Sequence, residues 1–172
     1  MEPIREDPAL GPLVETHGEL AVGTADDPFR RLVVAVVNQQ LSVESAAAIR
    51  ERLFDAVAVT PAGILAAEES TLRDAGLSAS KAEYVRNVAG AFRERDLTPA
   101  GLANAADSEA IAALTEIRGV GVWTAKMYLI FALGRPDVFP VEDLGVRRAM
   151  AELYGVATDD RARMREHAER WS

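Results

Sequence analysis

Apolar residues recur along this chain at the three- and four-residue spacing of α-helices, and no segment shows the alternation typical of a β-strand. The nearly all-apolar segment 28–39 predicts a buried helix that begins with Asp27 as its cap and Pro28 in its first turn. Ser42 is expected to cap the next helix, over 43–57. The whole pattern predicts an all-α domain of about eight to ten helices with short connections.

Other capping residues and glycines indicate where the remaining helices begin and end. The predicted starts are Thr60-Pro61, Ser70, Ser80 and Thr98-Pro99, and the predicted ends are Gly76 and Gly134. Two more helices, near 142–153 and 159–170, are expected to close the chain.

Length and composition exclude several classes of protein. The 172 residues suit one domain, or two small lobes that share a core. The chain has no run of about 18 apolar residues that would predict a membrane span, and its acidic start does not resemble a signal peptide. It has no cysteine, which excludes thiolate-bound zinc and iron–sulfur clusters. With only His17 and His167 as imidazoles, we expect no metal and no other cofactor.

The net charge of −8 by itself argues against nucleic acid as a partner. The distribution of charge along the chain weakens this argument, because residues 1–30 have a net charge of −5 whereas residues 118–150 have a net charge of +2. A locally basic segment on an acidic chain is compatible with local DNA contact. Lysine is scarce, which indicates either a high-salt cytoplasm or a GC-rich genome that favours arginine and alanine codons.

Gly119-Val120-Gly121 lies between two helical patterns and lacks the lysine–serine pair of a P-loop. Two glycines allow a tight turn that brings backbone N–H groups close to a ligand, and the first turn of the following helix favours an anion such as a DNA phosphate. The simpler interpretation is a plain helix–helix turn, and from these three residues alone both interpretations stay open.

Asp143 lies directly ahead of another predicted helix. A helix cap is the simplest interpretation of an aspartate at such a position. The alternative is a carboxylate in a partly apolar cleft, flanked by Phe139, Pro140 and Leu144, which stabilises positive charge on a sugar as its base departs. Glu142 is expected to project about 100° away around the helix, so only one of the two acids can face such a site.

Four segments in a fixed order are highly specific when they are taken together. They are Gln-Gln-x-Ser over 39–42, Gly-Leu-Ser-x-x-Lys-Ala over 76–82, Leu-x-x-x-x-Gly-Val-Gly-x-x-Thr-Ala over 114–125 and Pro-Val-Glu-Asp over 140–143. From about residue 28 onwards, the chain therefore resembles the helix-hairpin-helix (HhH-GPD) DNA glycosylase superfamily. The resemblance implies a single two-lobed helical domain over 1–172, with a base pocket and Asp143 between the lobes. It also implies double-stranded DNA containing damaged bases as the partner.

The resemblance also indicates a branch of that superfamily. Bifunctional members carry a lysine nucleophile just before the hairpin Thr-Ala, whereas Trp123 occupies that place here and Lys126 lies on a different helical face. This is similar to the monofunctional 3-methyladenine DNA glycosylase II branch, which implies excision of alkylated purines such as 3-methyladenine and 7-methylguanine. The sequence ends soon after Trp171, where relatives continue into a last helix, so we expect either a truncated chain or a more open pocket.

The site residues of the family carry over to matching positions in this chain. The resemblance implies that Asp143 stabilises the sugar cation and that Gln40 fills the space left by a flipped base. The implied DNA contacts are Gly119, Val120, Gly121, Thr124, Gln39 and Ser42, and the implied base pocket contains Trp123, Met127 and Tyr128. Structural alternatives remain, with Gln39 and Gln40 as the cap of a buried helix and Trp123 as a core aromatic.

Two other functions stay open at this point. A glycosylase for mismatched uracil or thymine, or for an oxidised purine, would differ in its substrate. A non-catalytic helix-hairpin-helix module would bind DNA without needing Asp143. In the favoured interpretation the protein is a monomer that acts on the nucleoid in a prokaryotic cytoplasm.

Binding to duplex DNA is expected to weaken steeply as salt is added, because basic side chains that contact phosphates release bound counterions. A titration of affinity from low to molar salt tests this expectation. Affinity that stays flat up to molar salt would contradict it and would support the high-salt host.

Overall fold

A computed structural model describes residues 2–18 and 25–172, and these residues form eleven α-helices, one 3₁₀ helix and no strand. The α-helices are α1 (Glu2–Glu6), α2 (Leu10–His17), α3 (Pro28–Asn38), α4 (Val43–Ala56), α5 (Pro61–Ala66), α6 (Glu69–Asp74), α7 (Ala79–Glu94), α8 (Asp107–Thr115), α9 (Val122–Phe131), α10 (Leu144–Tyr154) and α11 (Arg161–Ala168). The 3₁₀ helix is Glu169–Trp171. The all-α class is therefore confirmed, although α1 and α2 lie where the sequence pattern predicted no helix.

The chain folds into two compact units. We call Thr24–Arg135 the hairpin unit, and Met1–Gly23 together with Pro136–Ser172 the terminal unit. No helix among the described residues is both long enough and apolar enough to cross a bilayer.

The hairpin unit is built around α3, which packs against α4, α7 and α9. Leu32, Val33 and Val36 on α3 are fully buried. Six of the eleven residues of α3 are buried, so neighbouring helices cover it on several sides. The Asp27 carboxylate accepts the Arg30 N–H at 2.9 Å, which caps α3 at the predicted position.

Several other predicted helix ends are confirmed in the hairpin unit. Ser42 and Thr60 cap α4 and α5, each accepting the N–H of the residue three positions further along. Gly76 follows the end of α6 with a φ of 104°. α9 ends at Phe131, three residues earlier than the predicted end at Gly134, which has a φ of 68°.

The predicted caps at Ser70 and Ser80 are wrong, because both serines lie inside the first turns of α6 and α7. Ser78 caps α7 instead, and its hydroxyl accepts the Lys81 N–H at 3.2 Å. The buried side chain of Leu77 anchors the residue before the cap, which favours Ser78 over a serine two positions later.

The predicted short helix at Thr98-Pro99 is also wrong, since this segment forms consecutive turns. The Asp96 carboxylate accepts both the backbone N–H of Thr98, at 3.1 Å, and its hydroxyl, at 2.5 Å. These bonds hold Thr98 in a turn. Gly101 and Asn104 follow within a few residues and weaken any helix that would continue from there.

The terminal unit has its own apolar cluster, which joins the segment before α10 to α10 and α11. Its buried members are Val141, Met150, Val156 and Met164, and Phe139, Val146, Tyr154 and Trp171 pack against them. Residues on both sides of Asp143 therefore belong to one packed cluster.

Asp7 connects the first helices of the terminal unit to its last ones. The carboxylate accepts the Tyr154 hydroxyl at 2.7 Å and the Trp171 indole N–H at 3.0 Å, as well as the backbone N–H groups of Ala9 and Leu10. Burial by itself raises the pKa of Asp7, but the four hydrogen bonds together lower it from 3.8 to about 2. The ionised carboxylate is therefore part of the folded structure.

Asp7→Asn is expected to destabilise the terminal unit at neutral pH. A carboxyl group whose pKa is lowered on folding stabilises the protein above the unfolded pKa of 3.8, and this contribution disappears as the pH falls through about 2. We expect a loss of about 1 to 2 kcal/mol at pH 7, after allowance for solvent screening.

Urea unfolding of wild type and variant between pH 2 and 7 measures this difference. Glu15→Gln, which changes an exposed carboxylate on α2, is the control. A stability difference that stays constant down to pH 2 would contradict a role for the ionised Asp7.

Candidate functional site

The hairpin between α8 and α9 depends on a glycine at position 119. Gly119 has a φ of 102°, a conformation that residues with a Cβ rarely adopt. A Cβ built on Gly119 would also collide with the ring of Tyr84 on α7. The next residue, Val120, is only 4% exposed, so its side chain belongs to the core and any ligand contact it makes is through its backbone.

Gly121 has a different environment from Gly119. It caps α9 in an extended conformation, and a Cβ added there would meet no atom within 4 Å. No side chain caps the start of α9 through a hydrogen bond to its backbone. The first turn of this ten-residue helix therefore points its N–H groups and the positive end of its dipole at an open surface. This arrangement suits an anion such as a phosphate.

Thr124 and Gln39 hold the hairpin from inside. The Gln39 side-chain amide donates one hydrogen bond to the Gly119 carbonyl, at 2.9 Å, and another to the Thr124 hydroxyl, at 3.0 Å. Thr124 is only 2% exposed. The Thr124 hydroxyl therefore supports the hairpin from inside, and its predicted contact with a phosphate stays a prediction. The predicted groove contact of Gln39 stays a prediction.

The turn that follows α3 presents Gln40 and Ser42 at the surface. Gln40 has a φ of 56°, and among the described residues it alone combines a positive φ with a side chain larger than that of glycine. Its side chain is exposed, as is that of Ser42. The exposed position of Gln40 is compatible with a wedge. Because α3 ends at this turn, the alternative in which Gln39 and Gln40 cap a buried helix stays open as well.

Lys81 and Tyr84 contact the turn after α3 and the hairpin, and neither residue was among the predicted site residues. Lys81 donates to the carbonyl oxygens of Val37 and Gln39, each at 2.7 Å. Tyr84 lies one helical turn further along α7 and packs under Gly119. The signal for Lys81 was the Gly-Leu-Ser-x-x-Lys-Ala segment over 76–82, and the three-residue spacing places Tyr84 on the same face of α7.

The three predicted pocket residues differ in burial. Trp123 and Met127 are half-buried on α9. Tyr128 is 1% exposed, its hydroxyl donates to the Leu97 carbonyl at 2.7 Å, and its ring packs edge-on against Phe92. Burial and the charges of Asp27 and Asp96 raise the pKa of the Tyr128 hydroxyl. Tyr128 is therefore packed as a core aromatic, and its predicted place in a pocket wall stays a prediction.

Asp143 is the cap of α10, as the simpler interpretation of the sequence proposed. Its Oδ1 accepts the Val146 N–H at 3.1 Å, and the residue is half-buried. Glu142 precedes the helix, so the predicted separation of the two acids by rotation around α10 is wrong. Glu142 instead pairs with Arg165 of α11 at 3.6 Å. The catalytic interpretation of Asp143 stays a prediction.

Comparison with protein families places this fold and hairpin in a known class. The model of the HhH-GPD superfamily of base excision DNA repair proteins matches residues 33–172. The chain therefore belongs to the HhH-GPD superfamily.

Several relatives within that superfamily that are similar to this chain are named 3-methyladenine DNA glycosylases. DNA-3-methyladenine glycosylase 1 of Schizosaccharomyces pombe is 34% identical over 134 residues, which cover 74% of this chain and 58% of the relative. A solved DNA-3-methyladenine glycosidase of Bacillus halodurans is 33% identical, with a TM-score of 0.85 over 99% of this chain and 80% of that one.

A second solved structure is the 3-methyladenine DNA glycosylase of Schizosaccharomyces pombe in complex with abasic DNA. It is 27% identical, with a TM-score of 0.82 over 99% of this chain and 92% of that one. The chain nevertheless spans only 54% to 58% of the length of the first three curated relatives that it matches.

Gly119→Ala and Gly121→Ala are expected to differ strongly in stability although both change the same hairpin. Gly119→Ala introduces the collision with Tyr84 in an unfavourable backbone conformation, so we expect a loss of about 2 kcal/mol or more. Gly121→Ala adds a methyl group in open space and should cost less than about 1 kcal/mol. Thermal or urea unfolding measures both, and equal effects would contradict the described geometry.

Proposed function

We propose that this chain is a monofunctional DNA N-glycosylase of base excision repair that removes alkylated purines from duplex DNA. The observation that carries the proposal is the hairpin at 119–121, whose open helix start suits a phosphate, in a chain of a base excision repair family. The names of the relatives, which specify 3-methyladenine glycosylases, support the alkylated substrate. We further propose that the protein acts as a monomer on double-stranded DNA, at the nucleoid of a prokaryotic cytoplasm.

Binding in this proposal begins at the backbone of the DNA. The N–H groups at the start of α9 hold a phosphate, and the lack of a side chain at Gly121 lets the phosphate approach. Gln40, exposed in its left-handed turn, enters the duplex and fills the space that the flipped nucleotide leaves. Flipping costs a few kcal/mol, and the cost is smallest for a damaged base because it is stacked and paired less well.

The half-buried Trp123 is the proposed recognition surface for the flipped base, with Met127 one helical turn further along α9. An alkylated purine carries positive charge, which is attracted to the face of an indole ring. The same positive charge weakens the glycosidic bond, so the protein needs to supply less catalysis for such a base. Selectivity then follows from charge and stacking.

Asp143 is the proposed catalytic residue. As the glycosidic bond breaks, the base leaves with the bonding electron pair and the sugar becomes a cation, which the carboxylate stabilises. Water then adds to the anomeric carbon and loses a proton, for which Asp143 is the proposed acceptor. The Val146 N–H fixes the orientation of the carboxylate. Trp123 stands where bifunctional relatives have lysine, so no covalent enzyme–sugar intermediate forms and the strand stays intact.

Asp143→Asn is expected to slow base release strongly while leaving the fold intact. Asparagine caps helices about as well as aspartate, so the melting temperature should hardly change. Loss of the negative charge should slow release of 3-methyladenine or 7-methylguanine from methylated duplex DNA by about a hundredfold or more. Asp160→Asn is the matched control, because Asp160 caps α11 with the same 3.1 Å bond to a backbone N–H.

Wild type and the Asp160→Asn control should release the base, and the strand should break only after alkali is added. Equal release by the Asp143→Asn variant would contradict its catalytic role. Robust release of 8-oxoguanine, uracil or thymine without release of alkylated purines would contradict the proposed substrate. DNA binding by wild type without release of any base would indicate a non-catalytic module.

A further inference from the structure

The surface turn at 39–42 is held only weakly by its own backbone. Within it, the Leu41 N–H reaches the Asn38 carbonyl at 3.4 Å and the Gln39 N–H reaches the Val36 carbonyl at 3.3 Å, both long for hydrogen bonds. The left-handed conformation of Gln40 is unfavourable for a residue that has a Cβ. Contacts from elsewhere in the hairpin unit must therefore hold this turn in place.

Two side chains, those of Lys81 and Gln39, supply such contacts. The Lys81 ammonium of α7 donates to the Val37 and Gln39 carbonyl oxygens, both at 2.7 Å. A cation at the carboxyl end of a helix satisfies carbonyl groups that lack helical partners and interacts favourably with the helix dipole. The side-chain amide of Gln39 in turn donates to the Gly119 carbonyl, which joins the turn to the hairpin.

We propose that Lys81 is a positioning residue for strand opening, which keeps Gln40 in its wedge conformation and at a constant distance from the phosphate-binding hairpin. Gln39 transmits this constraint, because its carbonyl accepts from Lys81 and its side chain donates to the hairpin. The phosphate contact and the wedge then move as one body when DNA binds. This inference rests on the proposed function, since it assumes that Gln40 enters the duplex.

Two simpler roles for Lys81 make different predictions. As a direct phosphate contact, Lys81 would contribute to affinity on every DNA and to its salt dependence, and its removal would lower the salt slope by about one. As a purely structural residue, it would affect the melting temperature and nothing else. A positioning residue instead affects strand opening without changing the salt slope.

The experiment measures strand opening directly, with the full chain and a duplex that contains a tetrahydrofuran abasic site. 2-Aminopurine opposite the abasic site becomes fluorescent when it is unstacked. Gln40→Ala calibrates the signal that depends on the wedge. Lys81→Met removes the bonds to the Val37 and Gln39 carbonyl oxygens, and Gln39→Ala removes the bonds to the hairpin without a change of charge. Arg93→Met, which removes an exposed positive charge from α7, is the control for Lys81→Met.

We expect Lys81→Met and Gln39→Ala each to lower the fluorescence gain severalfold, towards the level of Gln40→Ala, while Arg93→Met behaves as wild type. The salt slope of binding should stay the same in all variants. Release of an alkylated purine from duplex DNA should slow by roughly tenfold, because hydrogen bonds that orient the turn are lost. Release from single-stranded DNA, which needs no strand opening, should stay within about twofold.

Wild-type fluorescence in folded Lys81→Met would overturn the inference, as would a salt slope that falls by about one. If Lys81→Met does not fold, Gln39→Ala decides by the same readout. Failure of the proposed function gives a different result, in which wild type releases no base or Gln40→Ala keeps the full fluorescence gain. The fluorescence measurement needs no base release, so the two failures are distinguishable.

Discussion

Two hydrogen bonds from one side chain connect the two surface features of the hairpin unit. The Gln39 amide reaches the Gly119 carbonyl and the Thr124 hydroxyl, and so joins the end of α3 to the start of α9. Even a partly buried amide favours partners for its donors, because an unpaired polar group away from water is costly. The position of the turn at Gln40 is therefore coupled to the position of the hairpin, and neither can shift without breaking these bonds.

The hairpin itself combines a rigid position with an open one. Gly119 is required by its backbone conformation and by the ring of Tyr84, whereas the surface at Gly121 is empty. The first glycine therefore defines the path of the chain, and the second leaves room for a ligand at the start of α9. Gly119 and Gly121 therefore serve different physical purposes, although both are glycines in the same short turn.

Asp143 illustrates how a structural role and a proposed catalytic role can coexist in one side chain. A carboxylate that caps a helix is held in one orientation by a backbone N–H and interacts favourably with the positive end of the helix dipole. The apolar cluster on both sides of Asp143 holds the start of α10 in place. An orientation that is fixed before substrate binds is what electrostatic stabilisation of a developing cation requires. The cap therefore supports the proposed chemistry.

The sequence by itself determined the all-α class and the caps at Asp27, Ser42 and Thr60, because these depend on residues within a few positions of one another. It also determined the family, because four motifs in a fixed order are specific when they are taken together. Local signals misplaced the caps at Ser70 and Ser80, where neighbouring residues offered competing starts. Only the tertiary structure decided that Thr124 and Tyr128 are buried and that Lys81 and Gln39 support the turn. The bonds of Gln39 and Lys81 join residues 42 to 85 positions apart, and nothing in a local pattern specifies which distant groups will meet when helices pack.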